Sequence, residues 1–376
     1  MRKFIYKKEI ESCFVKENIN ESDQFILLKS LFINPIDSTK QFILKESVCD
    51  INTVLELCKA VLKGKETTIA DICSLFAVDD DLHLPLELRV QISNKENIAF
   101  FVGAGVSKIL GIPLWNELAN QAIEYLHNKS IITFDEAEKI NRTIPSPKQR
   151  LSIFRNMLGI KKEKLFYNTC LRKPEFPDVL NPYDLLVKVG FPVFSSNLDN
   201  ELFYAFTKKL GLEGKVAKRI DMGFYKEMKI ENDAIYQIHG SLENMDKYSI
   251  ITMSDYIKYY YNDPSGNLQN FLNRIFNEYS VIFLGYGMEE FEILQNIIKS
   301  GKKHHVVIET YLNDTSLLRI KKKYFENIEV KAHGYYLDFE GYRRLYKIIE
   351  SWSREINQIL KFKMYDVTGE FKDVKF

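Results

Sequence analysis

The chain has 376 residues, 45% hydrophobic and 27% charged, with a formal net charge of +1. That balance excludes a disordered or low-complexity chain and leaves room for one large domain with a smaller companion. It also supplies no global attraction to nucleic acid or to an anionic membrane, although local basic clusters stay open. The five cysteines, Cys13, Cys49, Cys58, Cys73 and Cys170, contain no Cys-x-x-Cys pair of the kind a zinc knuckle or a thioredoxin-like site requires, and they suit free thiols in a reducing compartment. Charges at Arg2, Lys3, Lys7, Lys8 and Glu9 interrupt the amino terminus, and nowhere do ~18 apolar residues run together. A cytoplasmic location without membrane insertion is expected.

In residues 1–90, apolar positions recur at helical spacing, as at Ile51, Val54, Leu55, Leu57, Cys58, Val61 and Leu62, which predicts a helical accessory region. Asp79-Asp80-Asp81 and Pro85 suit a solvated joint. The main domain is expected over 91–376. Within it, short apolar runs at Ile98–Val102, Phe191–Phe194, Ile235–Ile238, Val281–Leu284 and Val306–Ile308 alternate with amphipathic stretches. This alternation predicts an α/β fold: a Rossmann-like parallel sheet with helices on both faces. The stretch from about 116 to 190 is too long for a simple crossover and reads as a helical insertion covering the site. A C-terminal helix and tail occupy about 340–376, with Tyr342, Leu345, Ile349, Trp352, Ile356, Ile359 and Leu360 on one helical face.

The first strand runs into Gly103-Ala104-Gly105-Val106-Ser107 and then Gly111-Ile112-Pro113-Leu114-Trp115. A Gly-x-Gly turn after a buried strand lets backbone N–H groups approach a pyrophosphate, and it equally makes a tight strand–helix turn with no ligand. The third glycine is displaced from the dehydrogenase fingerprint. Three further segments follow candidate strands: Ser195-Ser196-Asn197-Leu198-Asp199, His239-Gly240 and Gly285-Tyr286-Gly287. Asn197 and Asp199 lie on one face if extended, and can also cap the following helix. His239 reads either as a satisfied core histidine or as a base with a pKa near neutrality.

As an ordered set, these four segments resemble the nucleotide-binding and catalytic motifs of sirtuins over roughly residues 91–340. The resemblance implies NAD⁺ as substrate and scission of its nicotinamide–ribose bond. It gives His239 the role of base, with Asn197 and Asp199 holding the ribose and a water near the anomeric carbon. Gly103, Ala104, Gly105, Ser107, Gly111, Pro113, Trp115, Ser195, Gly285, Tyr286 and Gly287 would line the dinucleotide site. Trp115 stands where deacylating sirtuins carry Asp-Phe, and the paired cysteines that hold their structural zinc are missing. Water is therefore the expected acceptor, with no zinc. Zinc-free domains of this kind are similar to NAD⁺-consuming effectors of bacterial antiphage systems, which implies a regulated hydrolase, homo-oligomeric assembly and a HerA-type ATPase/translocase as partner. A deacylase and a silent NAD- or ADP-ribose-binding module stay open as alternatives.

Three features are left to blander roles. Glu289 and Glu290 are read as first-turn acids that complement a helix dipole, ahead of contacts to an adenosine ribose. Lys302-Lys303-His304-His305 and Lys321-Lys322-Lys323 are read as solvated faces, ahead of nucleic-acid contacts. Tyr256, Tyr259, Tyr260 and Tyr261 are read as core or subunit interface.

Overall fold

Five of the apolar runs become strands, joined by two that the sequence pattern hides. The computed structural model describes residues 4–6, 41–43, 82–172, 181–212, 218–221, 230, 234–310, 315–337 and 341–368. The strands are β1 (Ile98–Val102), β2 (Val193–Ser195), β3 (Lys218–Asp221), β4 (Ala234–Gln237), β5 (Ser280–Leu284), β6 (His304–Thr310) and β7 (Val330–Tyr336). They form one sheet in the order β3-β4-β2-β1-β5-β6-β7, with every neighbouring pair parallel. β3 and β7 sit at the two edges, where burial is less demanding and polar residues are tolerated; their sequences KRID and VKAHGYY form no apolar run. The predicted helical region before residue 90 lies largely outside the described residues. Of its first 81 positions, Phe4–Tyr6 and Gln41–Ile43 form a short antiparallel pair.

The helices are α1 (Leu86–Ser93), α2 (Ala104–Lys108), α3 (Trp115–Asn128), α4 (Phe134–Thr143), α5 (Pro147–Leu158), α6 (Ile160–Cys170), α7 (Pro182–Val189), α8 (Glu201–Leu212), α9 (Met253–Tyr256), α10 (Asn267–Glu278), α11 (Phe291–Ile298), α12 (Thr315–Glu326) and α13 (Tyr342–Thr368). Successive strand residues point to opposite faces. Ala99, Phe101, Phe194, Tyr236, Val281 and Phe283 therefore share one core with Phe271 and Ile275 of α10 and Ile293 of α11. Phe100, Val102, Val193, Ile235 and Ile282 share the other with Leu88 of α1, Tyr183 of α7, Phe206 of α8 and the Leu345, Ile349, Trp352, Ile356 stripe of α13. Helices thus cover both faces, as predicted for continuously apolar parallel strands.

The expected helical insertion resolves into two parts. Leu118, Ala122, Ile123, Leu151, Phe154, Phe166 and Tyr167 of α3, α5 and α6 build a separate core, which also takes in Leu198, Leu242 and Ile251 from loops at the sheet. Helix α7 packs instead on the sheet side, beside α8 and α13. One of the two basic runs departs in part from its reading as a solvated face. Lys321, Lys322 and Lys323 are exposed on α12, but His304 and His305 are fully buried in β6, because a strand inside a covered sheet hides both of its faces. No helix among the described residues is long and apolar enough to cross a membrane.

Candidate functional site

The four predicted loops leave the sheet at the carboxyl ends of four adjacent strands. Gln237, Ser195, Val102 and Leu284, the last residues of β4, β2, β1 and β5, stand in register side by side. At about 4.8 Å between parallel neighbours, their four exits span only about 14 Å. β1 pairs with β2 on one side and β5 on the other, which makes this the switch point where open α/β sheets bind ligands.

The glycines of the first and last loops answer to each other. Gly285 has φ +58°, and a Cβ there would lie 2.4 Å from the Val106 nitrogen and 2.7 Å from the Gly105 carbonyl carbon. The Gly105 N–H donates to the Gly285 carbonyl at 2.8 Å. Close backbone approach between the two turns therefore explains Gly103, Gly105 and Gly285 without any ligand. Gly240 is the other demanding glycine, with φ +85° and a virtual Cβ 2.4 Å from the Tyr248 carbonyl oxygen. It locks the turn that carries His239.

Between these turns lies a buried polar cluster. The Asn197 Nδ2 donates toward the Gly103 carbonyl at 3.0 Å, the Ser107 Oγ at 3.0 Å and the Tyr183 hydroxyl at 2.9 Å. Ser107 donates to Asp199 Oδ2 at 2.7 Å, and the Glu201 N–H donates to Asp199 Oδ1 at 3.1 Å, so Asp199 also caps α8. Gln237 Nε2 holds the Asn197 and Asp199 carbonyls at 3.3 and 3.4 Å, and Ser195 Oγ accepts the Asn197 N–H at 3.0 Å. Burial, followed by the nearby Asp199 charge, pushes the Tyr183 phenol well above its ordinary range, so it stays protonated and able to donate. Tyr183 reaches this position because Asn181 and Pro182 start α7 directly before it, with the Tyr183 N–H donated to Asn181 Oδ1 at 3.0 Å.

Asn197 Oδ1 is buried and has no partner. Asn197 itself belongs to the lining of a small cavity of about 20 Å³, together with Ala104, Ser107, Pro113, Trp115 and Asp199 among others. That volume suits about one water and is far below a dinucleotide, so a nucleotide requires the lining to open. Trp115, the first residue of α3, is half-buried and is held in place from the sequence side by Glu117, whose carboxylate accepts the Leu114 N–H and pairs with Lys108. Gly111, with φ +82°, and Gly287 are exposed at the margins. Buried donors, an unsatisfied amide oxygen and a bare backbone turn fit a nucleoside sugar and its phosphates.

His239 is fully buried, and its surroundings were not legible from the motif. Its Nε2 meets the Tyr260 hydroxyl at 3.0 Å and lies 3.7 Å from Glu290 Oε2. Its Nδ1 has no hydrogen bond of normal geometry, although the Ser196 backbone is near enough to favour the charged ring. The Tyr256 and Tyr286 hydroxyls donate to Glu290 at 2.5 and 2.6 Å. Lys148 Nζ, on α5, lies 4.0 Å from Glu290 and 3.4 Å from the centre of the Tyr256 ring. Burial lowers the His239 pKa first of all; Glu290 and Glu292 oppose that and Lys148 adds to it. Burial by itself would raise the Glu290 pKa, but His239, Lys148 and the two tyrosine hydroxyls hold it below the ordinary carboxylate value.

One expectation is revised here and another is extended. Glu290 sits at the N-cap of α11 and binds phenols rather than serving only the helix dipole. Tyr256 and Tyr260 belong to the core as expected, but they enclose His239 with edge-on rings. Tyr260 falls in a π-helical turn, Ile257–Tyr261, an irregularity frequent at functional sites. Tyr183 and Lys148 went unread as site residues, and Tyr260 was read only as core or interface, because nothing local marks them; only the fold brings them to the loops.

Residues 192–330 match the family model described as a SIR2-like domain. The match includes Asn197, Asp199, His239 and Gly285 and stops short of the Gly103–Ser107 turn. The chain matches no curated protein. A SIR2-like domain supports a sirtuin-like family and a role connected with NAD.

Proposed function

We propose that this chain, SIR2-like through its centre, hydrolyses NAD⁺ to nicotinamide and ADP-ribose. One observation carries the reading: the buried Asn197 amide, part of the cavity lining, ties the Gly103 carbonyl to Ser107 and Tyr183 while its own oxygen lies buried and unsatisfied. Cleavage of the glycosidic bond passes through an oxocarbenium-like state, and oriented dipoles and a carboxylate in a dry site favour that developing charge. Asn197 and Asp199 are the groups proposed to meet the ribose. His239 is proposed as the base, and Gly103, Ala104, Gly105, Ser107, Gly111, Pro113, Trp115, Ser195, Gly285, Tyr286 and Gly287 as the dinucleotide contacts. The absence of paired cysteines in the sequence favours water over an acyl-lysine as acceptor. The small volume of the cavity favours a protein whose activity waits on a rearrangement.

By resemblance we extend the reading to a cytoplasmic antiphage effector that works as a homo-oligomer with a HerA-type ATPase. Incubation with NAD⁺, with and without an acylated peptide and that ATPase, tests the reaction. The expected result is nicotinamide release without peptide, lost in His239→Ala and Asn197→Ala. Turnover only with acyl-peptide points to a deacylase, and binding of NAD⁺ without turnover under every condition points to a binding module. A stable monomer by size-exclusion chromatography, alone and with the ATPase, removes the assembly.

A further inference from the structure

The His239 ring is paired with a carboxylate that no motif announces. The Glu290 oxygens each accept one phenol, from Tyr256 and Tyr286, and this fixes the carboxylate plane beside the imidazole. Resting on the hydrolase reading, we propose that Glu290 is the positioning residue of His239, its carboxylate standing 3.7 Å from Nε2 as the counter-ion of the imidazolium formed during turnover. The Tyr260 hydroxyl marks the place on Nε2 where the incoming proton arrives. In that step an O–H bond of water breaks and an N–H bond forms at Nε2. The water oxygen bonds to the anomeric carbon, and nicotinamide leaves with the electron pair of the C–N bond. The ring then releases its proton to solvent. A buried imidazolium without a partner is costly, so the adjacent carboxylate acts where charge appears.

The other charged and titratable groups facing the ring are Lys148 from α5, Glu292 from α11, and Tyr256, Tyr260 and Tyr286. Lys148 opposes the proton and Glu292 assists it, which leaves Glu290 as the nearest fixed negative charge.

Glu290→Gln keeps the size of the side chain and removes its charge. The acid limb of kcat for nicotinamide release should move down by about one pH unit, because the neutral ring persists to lower pH, and the plateau should fall at least tenfold. The ¹³C-histidine NMR titration of His239, assigned with His239→Asn, should move down with it. Tyr286→Phe keeps the charge but removes one donor from it, so the titration should move up; this variant decides the matter if Glu290→Gln does not fold. A His239 titration that stays in place in the folded variants overturns the proposal whatever the activity. A wild-type protein that is silent toward NAD⁺, with a titration that still moves in Glu290→Gln, fails the hydrolase reading and leaves the pair intact.

Discussion

Gly285→Ala tests whether the glycine turns are shaped by each other. At φ +58° an alanine costs about 1 kcal/mol relative to glycine. Its Cβ would also lie 2.4 Å from Val106 N, 2.7 Å from Gly105 C and 2.9 Å from Gly105 Cα, all backbone atoms with no flexible end to yield. Overpacking of this kind adds about 1–3 kcal/mol. The total of about 2–4 kcal/mol corresponds to a fall in melting temperature of about 3–7 °C for a domain of this size. Differential scanning fluorimetry of Gly285→Ala beside Gly287→Ala measures it. At Gly287 the nearest atoms to a Cβ are the Glu289 side chain at 3.8 Å, so that variant should melt within about 1 °C of wild type. A Gly285→Ala protein melting within about 2 °C of wild type would refute the close approach of the turns.

Three further outcomes follow from the same geometry. Tyr183→Phe removes the hydroxyl shared by Ser107 and Asn197; it should cost about 1–2 kcal/mol in urea unfolding and slow nicotinamide release several-fold, and an unchanged unfolding midpoint would mean that the contact is idle. Arg155 pairs with the fully buried Glu163 at 2.6 Å and with Asp255, so Arg155→Met should destabilise by about 3–5 kcal/mol. Burial already raises the Glu163 pKa, and losing Arg155 raises it further; the deficit should therefore be largest at neutral pH and shrink toward pH 4, and a deficit independent of pH would contradict the assignment. His304, His305 and His333 are held at about 3, about 4 and about 3 by burial, against 6.5 when unfolded. Their lowered values contribute stability above pH 6.5 that is lost on acidification toward pH 4, by up to about 1.4 kcal/mol per pH unit for each ring; urea midpoints equal at pH 7 and pH 5 would show that these rings are not buried neutral.

The edge-strand misses, β3 and β7, have a common cause. Apolar runs report burial, and an edge strand needs less of it, so KRID pairs through its backbone with nothing in its composition to show it. The stripe on α13, by contrast, was legible residue by residue, because a helix against a sheet must place its apolar side chains at 3.6-residue spacing.

Five of the strands and the four loops that follow them could be read from the chain, since local patterning and turn chemistry act within a few residues; the order of strands in the sheet could not. What surrounds His239 could not: Glu290, Tyr260 and Lys148 come from a helix cap, a π-turn and a separate helical core, none of them distinctive in its own segment. Only close packing brought Tyr260 and Glu290 to 3.0 and 3.7 Å from the ring and Lys148 to 4.0 Å from Glu290, and in a buried site distances of this order decide which form of the ring is stable.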